Sequence, residues 1–271
     1  QWIYYTKQWI WRLWCHIYVT NGASNITIEE NIFKNNIGDL YIDGESGKVS
    51  QKITFSGNIV SSDNGDPSIE TWAIWGAYSG SNDITENSFS KKYCTDAVIH
   101  LEFITGNNTI TGNTIKDNNT AVDATTYSEA AIYLDQSSNS MVNSKITGNT
   151  IENNLHPTGG IHVYGGTGNI ITGNTITNNN GKPDTSGIVY GSGILVSNSN
   201  KNTISSNTVK EENMGIRIEA SSNNSIESNI LTENYTGLNL VNKCQSNTIR
   251  YNSIYNNSWI DTSDGKDKGR E

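Results

Sequence analysis

The chain has 271 residues, of which 34% are apolar and only 17% charged, with a formal net charge of −9. No apolar run approaches 18 residues, which excludes a membrane-spanning helix, and a negative chain does not attract phosphate backbones, so no nucleic-acid partner is expected. What fills the sequence is Asn, Thr, Ser and Gly, with 39 Asn and 25 Gly beside 3 Pro. Sparse Ala, Leu, Glu and Lys weigh against a helical bundle, while Ile recurs too regularly for disorder.

Residues 1–15 are unusually aromatic (Trp2, Tyr4, Tyr5, Trp9, Trp11, Trp14). They read as a cap on the first structural unit or as an interface for self-assembly, since exposed aromatic clusters mark contacts. Three cysteines, Cys15, Cys94 and Cys244, with no Cys-x-x-Cys spacing, read as free thiols.

From residue 16 onward one pattern recurs nine times: apolar, two residues, Asn, one residue, apolar. It runs Ile28/Asn31/Phe33, Phe55/Asn58/Val60, Ile84/Asn87/Phe89, Ile110/Asn113/Ile115 and Ile146/Asn149/Ile151. It continues as Ile171/Asn174/Ile176, Ile204/Asn207/Val209, Ile226/Asn229/Leu231 and Ile249/Asn252/Ile254. The Asn-to-Asn steps are 27, 29, 26, 36, 25, 33, 22 and 23 residues. A β-coil of about 20–30 residues fits these steps better than a helical repeat. A second element, apolar-x-apolar, precedes most units: Ile17/Val19, Leu40/Ile42, Ile99/Leu101, Ile132/Leu134, Ile161/Val163, Ile194/Val196, Ile216/Ile218 and Leu238/Leu240, with Ile74/Gly76 a weaker member. Alternation bounded by Gly, Asn and Ser is a strand signal, so each unit holds two or three short strands. One unit cannot bury its apolar side alone, whereas stacked units close a continuous interior. The expected fold is all-β: a right-handed parallel β-helix of nine to ten coils over residues 16–258. The repeated Asn is expected to form a ladder along the axis at turns where Asn tolerates a left-handed backbone.

Gly160-Ile-His-Val-Tyr-Gly-Gly-Thr-Gly-Asn-Ile-Ile-Thr-Gly-Asn-Thr-Ile176 and Gly215-Ile-Arg-Ile-Glu-Ala-Ser-Ser-Asn-Asn-Ser-Ile226 resemble the parallel β-helix repeat of NosD-type periplasmic proteins and of carbohydrate-binding and sugar-hydrolase domains. The resemblance implies the solenoid fold and an extracellular, periplasmic or cell-surface location. It implies little about chemistry, because related β-helices include lyases, hydrolases, epimerases, tailspikes and surface-layer proteins. The runs Asn-Thr-Asp, Asp-Asp and Gly-His-Gly of polygalacturonases are absent. NosD-type proteins are linked with copper-site assembly, yet no Cys/Met/His cluster repeats that chemistry here.

Site candidates follow from the register of apolar-x-apolar, in which x points outward. Down the rod, x reads Tyr18, Tyr41, Trp75, His100, Tyr133, His162, Leu195, Arg217 and Asn239. Two positions later the column reads Thr20, Asp43, Ala77, Glu102, Asp135, Tyr164, Ser197, Glu219 and Val241. The longest coils carry insertions at 121–130 and 181–191, and insertions in solenoids become loops on one face. They add Asp123, Tyr127, Glu129, Lys182, Asp184 and Tyr190.

Sugar rings stack on aromatic faces, so Tyr18, Tyr41, Trp75, Asp123, Tyr127, Lys182, Tyr190 and Arg217 are the candidate substrate-binding residues. His100, Tyr133 and His162, with Tyr164, could supply the base and acid of a β-elimination. Glu102 and Asp135 could supply the carboxylate pair of a glycoside hydrolase. The expected partner is a polysaccharide or surface glycan. The alternative is a non-catalytic adhesive or filament-forming protein, in which the same columns only stabilise an exposed sheet. No cofactor is required. No metal site is assigned; Asp63-Asn-Gly-Asp66 offers donors for calcium and reads first as a polar turn, and His100 and His162, two coils apart, could share an ion only with Tyr133 or Asp135 between them. The segment 259–271 reads as a polar tail.

Overall fold

The computed structural model describes residues 15–45, 47–62, 72–94, 97–104, 106–120, 130–136, 143–180 and 191–258, together with four short strands near the two ends. Three long parallel sheets run the length of the rod, of eleven, ten and nine strands. The first carries strands such as Ser24–Glu29, Thr109–Thr111 and Thr248–Arg250, the second Ile32–Lys34, Thr114–Lys116 and Ser253–Tyr255. The third carries Cys15–Thr20, Gly38–Asp43, Trp72–Ala77, Ile99–Glu102, Ala130–Asp135, Gly159–Tyr164, Ser192–Ser197, Met214–Glu219 and Thr236–Val241. Within these three sheets each strand pairs with the equivalent strands of the adjoining coils and not with its neighbour in sequence, while Ile260–Asp261 and Lys266–Asp267 form a separate short antiparallel pair. The fold is therefore a parallel β-helix, as the repeat implies.

The interior is a filled column. Ile28, Phe55, Ile84, Ile110, Ile146, Ile171, Ile204 and Ile226 are registered in the first sheet and all but excluded from solvent. Three phenylalanines occupy the second and first sheets, with Phe33 and Phe55 centroids 5.5 Å apart and Phe55 and Phe89 6.3 Å apart.

The Asn ladder is present and has a different stereochemistry from the one expected. Asn31, Asn58, Asn87, Asn113, Asn149, Asn174, Asn207, Asn229 and Asn252 do form one chain of hydrogen bonds. Each backbone N–H donates to the Oδ1 of the next coil's Asn, at 2.8–3.0 Å. Each Nδ2 from Asn58 onward also donates to a core-strand carbonyl of the preceding coil, as Asn174 does to Ile146 at 2.9 Å. None of these nine is left-handed, however. The left-handed residue is the one just before: Glu30, Gly57, Glu86, Gly112, Gly148, Gly173, Ser206, Ser228 and Tyr251, with φ between 54° and 67°. The chain turns its corner there, and the following Asn, whose φ is not positive, directs its amide along the axis. Glycine fills four of the nine positions because it alone adopts that φ without strain.

Two more ladders flank the first, each offset from it by five residues. One links Lys92, Asn118, Asn154, Asn179, Glu212, Asn234 and Asn257. The other links Asn82, Asn108, Ser144, Asn169, Asn202, Asn224 and Asn247. Departures interrupt these two rows in the sequence: Ser144 and Glu212 stand between coils that carry Asn, and Lys92 stands between Ser62 and Asn118.

Glu212 is the costly departure. It is 2% exposed, and its Oε1 accepts both the N–H and the Nδ2 of Asn179 at 2.9 Å. Its Oε2 is buried with no partner among the described residues. Burial pushes the carboxyl from 4.5 up to about 7, opposed by the two Asn179 bonds and assisted by neighbouring Glu211. The folded chain thus holds a proton that the unfolded chain has released above pH 4.5. Stability is present below that pH and is lost as pH rises towards 7, by roughly 3 kcal/mol at most. Glu212→Asn restores an amide to the ladder and is expected to flatten this stretch of a urea-midpoint-versus-pH curve. An unchanged slope would show that Glu212 is not its source.

Candidate functional site

The third sheet presents the two outward columns in the register expected. Tyr18, Tyr41, Trp75, His100, Tyr133, His162, Leu195, Arg217 and Asn239 are consecutive cross-strand partners. So are Asp43, Ala77, Glu102, Asp135, Tyr164, Ser197 and Glu219. Residues 22 to 34 positions apart become vertical neighbours, about 4.8 Å from strand to strand.

The rings stack. Tyr18 and Tyr41 centroids are 4.8 Å apart at 16°, and Trp75 and His100 6.0 Å apart at 3°. His100 to Tyr133 is 4.7 Å and Tyr133 to His162 is 4.9 Å. Tyr164, from the second column, meets His162 edge-on at 6.3 Å. The His162 ring Nε2 and the Ser197 hydroxyl are 2.7 Å apart, which ends the aromatic run on a polar contact.

Exposure divides the column in two. Tyr18 is 60% exposed and Tyr41 and Trp75 are half-buried, whereas His100, Tyr133 and His162 are 7–8% exposed. The middle of the strip is thus not an open platform. Its ring faces are occupied by the rings above and below, leaving the edges, with imidazole nitrogens and phenol oxygen, as the chemically usable parts.

Sequence reasoning missed Trp72. Its ring meets Trp75 at 5.6 Å and 82°, and Tyr41 at 6.5 Å and 60°. The ring lies over Gly38, where any β-carbon would come within 2.7 Å of the indole. The missing side chain at Gly38 was the available signal.

Carboxylates line one flank. The Tyr18 hydroxyl donates to Asp43 at 3.3 Å, and the Trp75 indole N–H donates to Glu102 at 3.2 Å. Glu102 and Asp135 are direct partners on adjacent coils, both half-buried. Arg217 is not free to meet an anion, since its Nη2 lies 3.0 Å from Glu219 Oε2. Burial first, and then Asp43, raise the phenol pKa of both Tyr18 and Tyr41. Asp123, Tyr127, Glu129, Lys182, Asp184 and Tyr190 lie outside the described residues, as do Asp63–Asp66 and the side chains of 1–14.

Among the described residues no three His, Cys, Asp or Glu side chains converge on a point where a metal ion could sit. His100 and His162 are separated by Tyr133. Cys94 is buried, and burial raises the Cys15 thiol to about 11, away from the thiolate that soft metals require. No described helix is long and apolar enough to cross a membrane.

No curated protein matches the chain by sequence. Among solved structures it is similar to the Dettilon tailspike protein, with 17% identity, TM-score 0.47, and coverage of 80% of this chain and 40% of that one. It is also similar to the periplasmic alginate epimerase AlgG (11% identity, TM-score 0.39, 88% and 74% coverage). A third likeness is to the catalytic domain of an alpha-1,3-glucanase in complex with tetrasaccharides (13% identity, TM-score 0.27, 92% and 59% coverage). The chain thus spans less than half of the tailspike's length, and none of these likenesses bears on chemistry. A family model for a right handed beta helix region matches residues 14–182, and one described as periplasmic copper-binding protein (NosD) matches 119–268. With more than half of its length matched by each, and with the coils and ladders described above, the chain belongs to the NosD family of right-handed parallel β-helix proteins.

Proposed function

We propose that the outer face of the third sheet binds an extended saccharide, with Tyr18, Tyr41 and Trp75 as the platform and Arg217 and the loop residues Asp123, Tyr127, Lys182 and Tyr190 as further contacts. The observation that carries this reading is the unbroken aromatic column with carboxylates registered beside it. Flat apolar rings flanked by hydrogen-bond acceptors match the alternating apolar faces and hydroxyl edges of a sugar chain. Cleavage belongs further along the same column. His100, Tyr133 and His162, with Tyr164, offer base and acid edges for β-elimination. Glu102 and Asp135, on adjacent coils, offer a carboxylate pair for hydrolysis. The family's periplasmic description fits such a role outside the cytoplasm. Among the described residues no three His, Cys, Asp or Glu converge to hold copper, and no step of this reading is routed through it.

Incubation with a panel of polysaccharides, read by calorimetry, reducing ends and absorbance of unsaturated products, tests both halves. Trp75→Ala is expected to weaken binding about tenfold, the loss of one stacked sugar ring. If no polymer binds, or if Trp75→Ala binds as the parent does, the reading fails. Turnover that survives both His100→Ala and Tyr133→Ala would remove elimination, and survival of Glu102→Gln and Asp135→Asn would remove hydrolysis.

A further inference from the structure

The exposed end of the aromatic column carries a sign as well as a shape. Tyr41 and Trp75 meet at 86° and Trp72 and Trp75 at 82°, so these rings cannot all hide their faces against one another. Asp43 lies on the flank of this corner, held by the Tyr18 hydroxyl at 3.3 Å, and Glu102 lies one coil beyond Ala77. After burial, the carboxylates that raise the Tyr41 phenol are Asp43 and Glu102. At Tyr18 the carboxylate that does so is Asp43. Among the described residues, Lys92 is buried against Asp39, and Arg217 is paired with Glu219 several coils away.

From the perpendicular rings and the adjoining carboxylate we infer that the corner formed by Tyr18, Tyr41, Trp72 and Trp75 beside Asp43 is a subsite for a saccharide bearing a protonated amine. The class is that of a glucosamine-type polymer with free amino groups. An ammonium over an aromatic face is attracted by the ring quadrupole, and a carboxylate beside the ring adds a direct charge partner. A polyuronate or sulfated glycan would meet the same carboxylates with repulsion, in line with the net charge of −9. This assignment rests on the saccharide reading above and narrows it to one substrate class.

The test uses the full chain and three probes: a glucosamine hexamer with free amines, its fully N-acetylated counterpart, and spermidine as an ammonium without a sugar. At mildly acidic pH and low salt the free-amine hexamer is expected to bind roughly tenfold more tightly than the acetylated one. Asp43→Asn is expected to erase that preference, and Tyr18→Ala, at a site exposed enough not to disturb folding, to weaken the free-amine hexamer selectively. Added salt is expected to narrow the gap. Equal binding of the two hexamers overturns the amine assignment and leaves saccharide binding intact. Spermidine binding as tightly as the hexamer overturns the sugar component. Failure of all three probes, together with failure of the neutral polysaccharide panel, removes the parent reading as well.

Discussion

Lys92→Ala is expected to destabilise the protein by about 3–5 kcal/mol, the loss characteristic of breaking a buried ion pair from one side. Lys92 starts at a ladder position of one coil and reaches two coils back, where Nζ lies 2.6 Å from Asp39 Oδ2 and 2.9 Å from the Asn36 carbonyl. Ser62, at the equivalent position of the intervening coil, is small enough for the aliphatic stem to pass. Both charged side chains are essentially excluded from water, at 0% and 1% exposure. Asp39 has one further support, the Asn36 Nδ2 at 2.8 Å. Removing the ammonium leaves a carboxylate in the core with a single amide donor. The double variant Lys92→Met/Asp39→Asn removes both charges while keeping an acceptor for Asn36, and most of the stability is expected to return. Urea unfolding of the parent, the single variant and the double variant decides the matter. A single variant within 1 kcal/mol of the parent, or a double variant no better than the single, would refute a structural role for the pair.

Asn174→Ala is expected to cost a similar amount, about 3–5 kcal/mol, because one side chain serves three coils. Its Oδ1 accepts the N–H and the Nδ2 of Asn149, at 3.0 and 2.9 Å. Its Nδ2 donates to the Ile146 carbonyl and to Asn207 Oδ1, each at 2.9 Å. Truncation strands two donors and one carbonyl in a site 1% exposed. Thr175→Ala, one residue on and pointing to solvent, provides the contrast and should stay within about 0.5 kcal/mol. Asn174→Asp should be tolerated at low pH and penalised near neutrality, since a carboxylate would set a second acceptor against Ile146 and Asn207. Glu212 already shows that chemistry in the parallel ladder. Equal losses for Asn174→Ala and Thr175→Ala would mean that the amide row is ornamental.

The coils were legible in the sequence because burying one face of a repeated short strand forces apolar residues to recur in step. The recurrence at Ile28, Phe55, Ile84 and their successors carries the register with it. Register, in turn, placed His100, Tyr133 and His162 in one column. Their burial was not legible, since it depends on what lies over the face and not on where the strand places them. The left-handed corner was misplaced by one residue for a related reason. Turn preference pointed to Asn, but packing along the axis demanded the amide on a residue whose φ is not positive and pushed the strained φ onto its predecessor, even where that is Glu30 or Tyr251. The Lys92–Asp39 pair, 53 residues apart in sequence, obeys no local pattern. Trp72 was overlooked because its place in the cluster depends on the void at Gly38.

The three amide rows all run one way, each coil handing its N–H groups on to the coil that follows. A coil is therefore an interchangeable brick: its upper surface offers what its lower surface requires. Excising one whole turn, such as the 22 residues from Asn207 to the residue before Asn229, rejoins surfaces that already match. Length in such a protein changes by whole turns, and the distance between any two points on the rod can be reset in steps of about 4.8 Å.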